Sequence, residues 1–112
     1  MLRSIGLLSS TSTRHTAYVI LDRPRKLKLI SLVFEEKKTS RTQEFAPRRS
    51  SDREGRLREI VCQQWNFSPP HTTTEVEEYR VELSDVSVLE LTITPDIAGG
   101  MARAWLNSLA VS

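Results

Sequence analysis

The chain has 112 residues, 38% of them hydrophobic and 27% charged, with 16 Lys and Arg against 14 Asp and Glu. That length holds one domain at most, with a thin core, and the net charge of +2 does not by itself suggest nucleic acid. One cysteine, Cys62, excludes an intrachain disulfide framework and a multi-cysteine zinc site; it fits a reducing compartment, although a disulfide-free exported domain would look the same.

The opening "MLRSIGLLSS" carries an apolar run only over residues 5–8. A secretory signal needs roughly 7–15 apolar residues, and a membrane-spanning helix roughly 18. No signal peptide and no transmembrane segment is therefore expected, with the cytoplasm as the default compartment. Residues 1–15 read as a loose Ser/Thr-rich leader and residues 16–112 as a single domain.

The rest reads as strand. "AYVIL" (17–21) is a short apolar strand, and "LKLISLVF" (27–34) a second one, expected to be buried on much of both faces. "EEKKTSRT" (35–42) is a charged connection. In "QEFAPRR" (43–49), Pro47 cannot donate a ladder hydrogen bond, so the strand belongs at an edge or carries a bulge. "SSDREG" (50–55) has turn chemistry, and "LREIVCQQW" (57–65) is the next strand.

"EVEEYRVEL" (75–83) nearly alternates. Val76, Tyr79, Val81 and Leu83 are expected inside and Glu75, Glu78, Arg80 and Glu82 outside, with a bulge between Val76 and Tyr79. "SVLELTIT" (87–94) puts Leu89, Leu91 and Ile93 on one face. "MARAWLNSLAV" (101–111) is read as a strand rather than a short helix. About seven strands separated by turn signals suggest an antiparallel β-sandwich.

Three stretches carry a family resemblance: "YVILDRPRKLKLISLVFEE", "QEFAPRRSSDREGRLREIV" and "VEEYRVELSDVSVLELTITPDIAGGMARAWLNSLAV". In order and spacing they resemble the discoidin, or coagulation-factor type C, domain over residues 17–111. The resemblance implies a jelly-roll β-sandwich of the galactose-binding-like class and a non-catalytic module that binds carbohydrate. The family's first strands lack a counterpart, Arg23 stands where a glycine is usual, and Leu57 stands near the usual tryptophan. A truncated copy implies an uncovered sheet edge and self-association.

Up-and-down strands gather the segments 35–42, 66–75 and 96–101 at one end, and 22–26, 50–56 and 84–87 at the other. The first end holds "QQWNFSPPHTTT". Sugars stack their C–H faces on aromatic rings and pair their hydroxyls with amides and charges. Trp65, Asn66, Phe67 and His71 are accordingly the candidate ligand residues. Trp65 and Phe67 equally suit a role capping the core, with "SPP" as a stiff turn.

No catalytic set, metal site or cofactor is expected. His15 and His71 lack partners at metal spacing and read as surface residues, and Cys62 as an inert, at least half-buried thiol. Glu75, Glu77 and Glu78 read as a solvated face rather than a glycosidase pair. Asp96 with Gly99 and Gly100 reads as a turn. The basic run "RPRKLK" (23–28), interspersed with acidic residues and without stacking aromatics, reads as solvated, so no nucleic-acid partner is expected. A protein-interaction or assembly module is the alternative to carbohydrate binding.

Overall fold

The structure is a computed structural model that describes residues 2–3, 9–10, 14–52, 55–100 and 102–112. It is all-β and antiparallel: every described element is a strand. They are β1 (Leu2–Arg3), β2 (Ser9–Ser10), β3 (His15–Glu35), β4 (Arg41–Ser50), β5 (Arg58–Glu59), β6 (Gln63–Phe67), β7 (Thr74–Thr94) and β8 (Trp105–Val111). The pairing path is β1-β8-β3-β7-β4-β5, with β2 on β3 and β6 on β4. Among the described residues no helix is long and apolar enough to cross a membrane.

Most of the predicted leader lies outside the described residues, as do Arg53 and Glu54 of the 50–55 turn and Met101. The described parts of the leader are paired: β1 runs beside Ala110 and Val111, and β2 beside His15 and Thr16.

Two expected turns are instead bends. β3 and β7 are each 21 residues long and pair with one another along most of their length. The register shifts between Ile20 and Leu29, where β3 passes through Asp22, Arg23 and Pro24. Opposite it, Asp85 of β7 has φ 55°, a left-handed conformation that Asp tolerates better than most residues. Bulges bend a strand without ending it. The second half of β3 and the first half of β7 therefore belong to a different layer from the first half of β3, the second half of β7, and β4.

The bend makes the core. Phe34 pairs with Glu75 in one layer and Phe45 with Ile93 in the other, yet their rings lie 5.1 Å apart. Ala17, Val19, Leu89, Leu91 and Ile93 of one layer meet Ile30, Leu32, Leu109 and Val111 of the other in one buried cluster. Each strand supplies its inward parity, as a period of two requires. Residues 27–34 are not buried on both faces: Lys28 is exposed, and Ser31 and Val33 are half-buried.

Pro47 is not on an edge strand. β4 lies between β7 and the pair β5/β6. Pro47 sits where β6 has ended and β5 has not begun, and its carbonyl accepts from Ile60 N at 2.8 Å. The missing N–H thus falls at an interruption of the ladder. The strand predicted for 57–65 is broken there into two. The strand predicted for 101–111 is present as β8, with a bulge at Asn107 that turns Leu109 and Val111 inward while Trp105 faces out.

The predicted bulge between Val76 and Tyr79 is absent. The β3–β7 register runs unbroken from Leu29↔Arg80 to Glu35↔Thr74. Strict alternation then puts Glu75 inside, at 0% exposure, and Val76 outside, at 62%. Keeping the ladder intact outweighs the preference of these two side chains.

Removing the inter-layer ring contact should loosen the whole fold. Phe45→Ala is expected to cost about 3–5 kcal/mol, read as a lower denaturant midpoint; a loss under about 1 kcal/mol would show that the layers are held elsewhere.

Candidate functional site

The segments 35–42, 66–75 and 96–101 do meet at one end. Glu36 N donates to Thr73 O at 2.7 Å, and Ile97 N to Thr42 O at 2.9 Å. The turn after β6 closes through the Ser68–Thr72 bridge around the cis Pro69–Pro70 bond. The turn after β7 uses Asp96, whose carboxylate accepts from Ala98 N at 3.0 Å, and Gly99 and Gly100, whose φ angles of 90° and 98° favour glycine.

Arg41 ties these segments together. The sequence places it in a charged connection, but its side chain is fully buried. Its Nε donates to Glu36 Oε1 at 2.7 Å, and its Nη1 to Gln43 Oε1 at 2.8 Å and to Pro95 O at 2.6 Å. The guanidinium also lies 4.7 Å above the Phe67 ring, a favourable stack for a desolvated cation. Glu36 Oε2 accepts from Lys38 N at 3.1 Å. Burial opposes ionisation of Glu36, but the hydrogen bonds from Arg41 and from the backbone of Lys38 and Thr39 outweigh it and hold its pKa below the ordinary carboxylate value.

Beside this anchor is an open groove of about 320 Å³, lined by Glu35, Glu36, Lys37, Lys38 and Trp105. β8 pairs Trp105 opposite Glu35 of β3, and the indole is 65% exposed. Glu35 is held in place: Asn107 Nδ2 donates to it at 2.9 Å and Lys37 Nζ lies 3.2 Å away. The Asn107 bond, then Lys37, lowers its pKa, so it is a carboxylate at neutral pH. The groove thus combines an exposed aromatic face with oriented hydrogen-bonding groups.

The four sequence-derived candidates lie near this end in different environments. Phe67 is a core residue, 2% exposed and covered by Arg41, and has no free face for a ligand. Trp65 is half-buried and packs against the core, and its Nε1 is buried without a hydrogen-bond partner among the described residues. Asn66 is exposed and bonds Thr42 across the β4–β6 ladder at 2.6 Å. His71 is exposed in the turn.

Trp105 was the missed aromatic. Leu109 and Val111 share its odd parity and suggest a common inward face; only the bulge at Asn107 separates them. Two other expectations are reversed. His15 is buried, not on the surface, and burial, then Arg103 and Arg41, lowers its pKa. Cys62 is exposed, and slight burial together with Glu44 and Glu59 raises its pKa and keeps it a thiol. Cys62 borders a second groove, of about 190 Å³, in which Arg14 and Arg48 alternate with Glu44 and Glu59. Among the described residues no group of three His, Cys, Asp or Glu is placed to hold a metal.

Glu75 is not part of a solvated face. Gln43 Nε2 approaches its Oε1 at 3.5 Å, and its Oε2 has no partner among the described residues. Burial, then the neighbouring Glu77, pushes its pKa up to about 8. Glu77 in turn accepts from Gln63 Nε2 at 3.1 Å, and Tyr79 donates to Gln63 Oε1 at 2.7 Å, linking the two layers.

An acid whose pKa is higher folded than unfolded binds its proton more tightly in the native state. The resulting stability is fully present below the unfolded value and is lost as pH rises through the folded one. The thermal midpoint should therefore fall by roughly 5–10 °C from pH 7 to pH 9, above the range in which His15 titrates. Glu75→Gln should flatten most of that slope; an unchanged slope would place the titration elsewhere.

Comparison with known proteins finds no family model that matches the chain and no curated protein that matches it.

Proposed function

We propose that the chain is a non-catalytic carbohydrate-binding module, and that its site is the groove beside Trp105. The observation that carries this reading is the 65% exposure of Trp105 next to a hydrogen-bonded Glu35 and two lysines. An indole left in water has not contributed its area to folding, and rings of this kind supply large contact at low entropic cost. The bent, two-layered antiparallel sheet supports assignment to the galactose-binding-like β-sandwich, or jelly-roll, class and to a discoidin-like domain. In this reading Phe67 supports the site from behind, through Arg41 and Glu36, while Trp65, Asn66 and His71 are not among the residues that line the groove.

A second reading has its own support. Val76, at 62% exposure, and Val33 share the outer sheet face with Trp105. An apolar row of this kind suits a protein surface or a second copy of the chain. Concentration-dependent sedimentation that Val76→Glu abolishes, with no glycan bound, would favour assembly.

Glycan-array screening followed by calorimetry tests the main reading. Trp105→Ala should keep the native thermal midpoint and β spectrum and lose roughly thirtyfold in affinity. Undiminished glycan binding by this folded variant would overturn the site, and no binding by the native chain would overturn the function.

A further inference from the structure

The geometry points to an acidic saccharide, one bearing a carboxylate on the sugar ring system, as the preferred ligand of the Trp105 groove. This rests on the carbohydrate reading above and goes beyond it by fixing the charge of the ligand.

The inference follows from how the charges around the groove are used. Glu36 faces the groove but is committed to Arg41 and to the backbone of its own turn, and its side chain is only 9% exposed. Glu35 is committed to Asn107 and Lys37. Neither carboxylate is left as an unpaired acceptor for a cationic ligand. The Lys38 ammonium, by contrast, has no hydrogen bond or ion pair among the described residues. With Arg41 behind Glu36, three cations face two carboxylates, leaving one positive charge over.

The backbone that carries that charge is held in place. The Lys38 backbone N–H is held by Glu36, which Arg41 anchors to three segments of the chain. Lys38 and Trp105 line the same groove. A ring stacked on the indole would keep its C–H face on Trp105 and its carboxylate within the field of Lys38. Exposed charge pairs are individually weak and salt-sensitive, so the effect is one of preference and not of bulk affinity.

The test compares the methyl glycosides of galactose and galacturonic acid, which differ at C6, by calorimetry on the full chain in low and physiological salt. The acidic glycoside should bind about fivefold tighter at low salt, a gap that narrows with added salt. Lys38→Glu should reverse or erase the preference of the acidic over the neutral glycoside, while Trp105→Ala should weaken both. Equal binding of the two glycosides, both lost in Trp105→Ala, would overturn the acidic preference and leave the carbohydrate reading intact. Acidic binding that survives Trp105→Ala would show charge attraction alone and overturn the groove as its site. Binding of neither glycoside, together with a blank glycan screen, would overturn both.

Discussion

The buried guanidinium of Arg41 is the constraint around which this end of the molecule is arranged. Taking a cation out of water costs several kcal/mol even after relaxation, and only a nearly complete set of partners offsets that cost. Arg41 has an ion pair with Glu36, a side-chain acceptor in Gln43, a backbone acceptor at Pro95 and the face of Phe67. These partners come from the β3–β4 connection, β4, the turn after β7, and β6. Each segment is thereby fixed relative to the others by the need to satisfy one charge. The groove inherits its shape from this, because Glu36 both neutralises Arg41 and holds the turn that carries Lys37 and Lys38.

The same end shows how backbone regularity decides between competing side-chain preferences. Between Leu29 and Glu35 the β3–β7 ladder is unbroken, so Glu75 points into the core and Val76 into solvent. A bulge would have corrected both at the loss of ladder hydrogen bonds. Glu75 is tolerated because protonation removes its charge, and because Gln43, Glu77, Gln63 and Tyr79 form a polar seam between the layers. Tyr79 is itself drawn into that seam: burial, then Glu77 and Glu75, raises the pKa of its hydroxyl and keeps it a donor. Lateral cohesion of the two layers thus comes from an apolar centre around Phe34 and Phe45 and a polar margin beside it.

Trp105 contrasts with these buried groups. The bulge at Asn107 rotates β8 so that Leu106, Leu109 and Val111 face inward or against the core, and the indole faces out. The residue that makes the bulge also fixes Glu35 through its amide. One local irregularity therefore supplies both the ring and the orientation of its neighbouring carboxylate.

Much of the fold was legible in the sequence. Alternation in 87–94 placed Leu89, Leu91 and Ile93 on one face, and all three lie in the core, because successive side chains of a strand point to opposite faces. The all-β character and the gathering of three connections at one end were legible for the same reason. Continuity was not: Asp22–Arg23–Pro24 and Ser84–Asp85 have the chemistry of turns, and only pairing of β3 with β7 on both sides of the bend shows that the strands run through. The candidate groove was only partly legible. Sequence gathered three connections at one end and offered Trp65, Asn66, Phe67 and His71 there, but not the exposed indole of Trp105. Which ring is buried depends on the bulge at Asn107 and on Arg41 covering Phe67, and both are set by partners distant in the chain. Local pattern specifies that a strand has two faces; tertiary structure decides which face meets water, because that choice is made by register and by the need to satisfy buried charge.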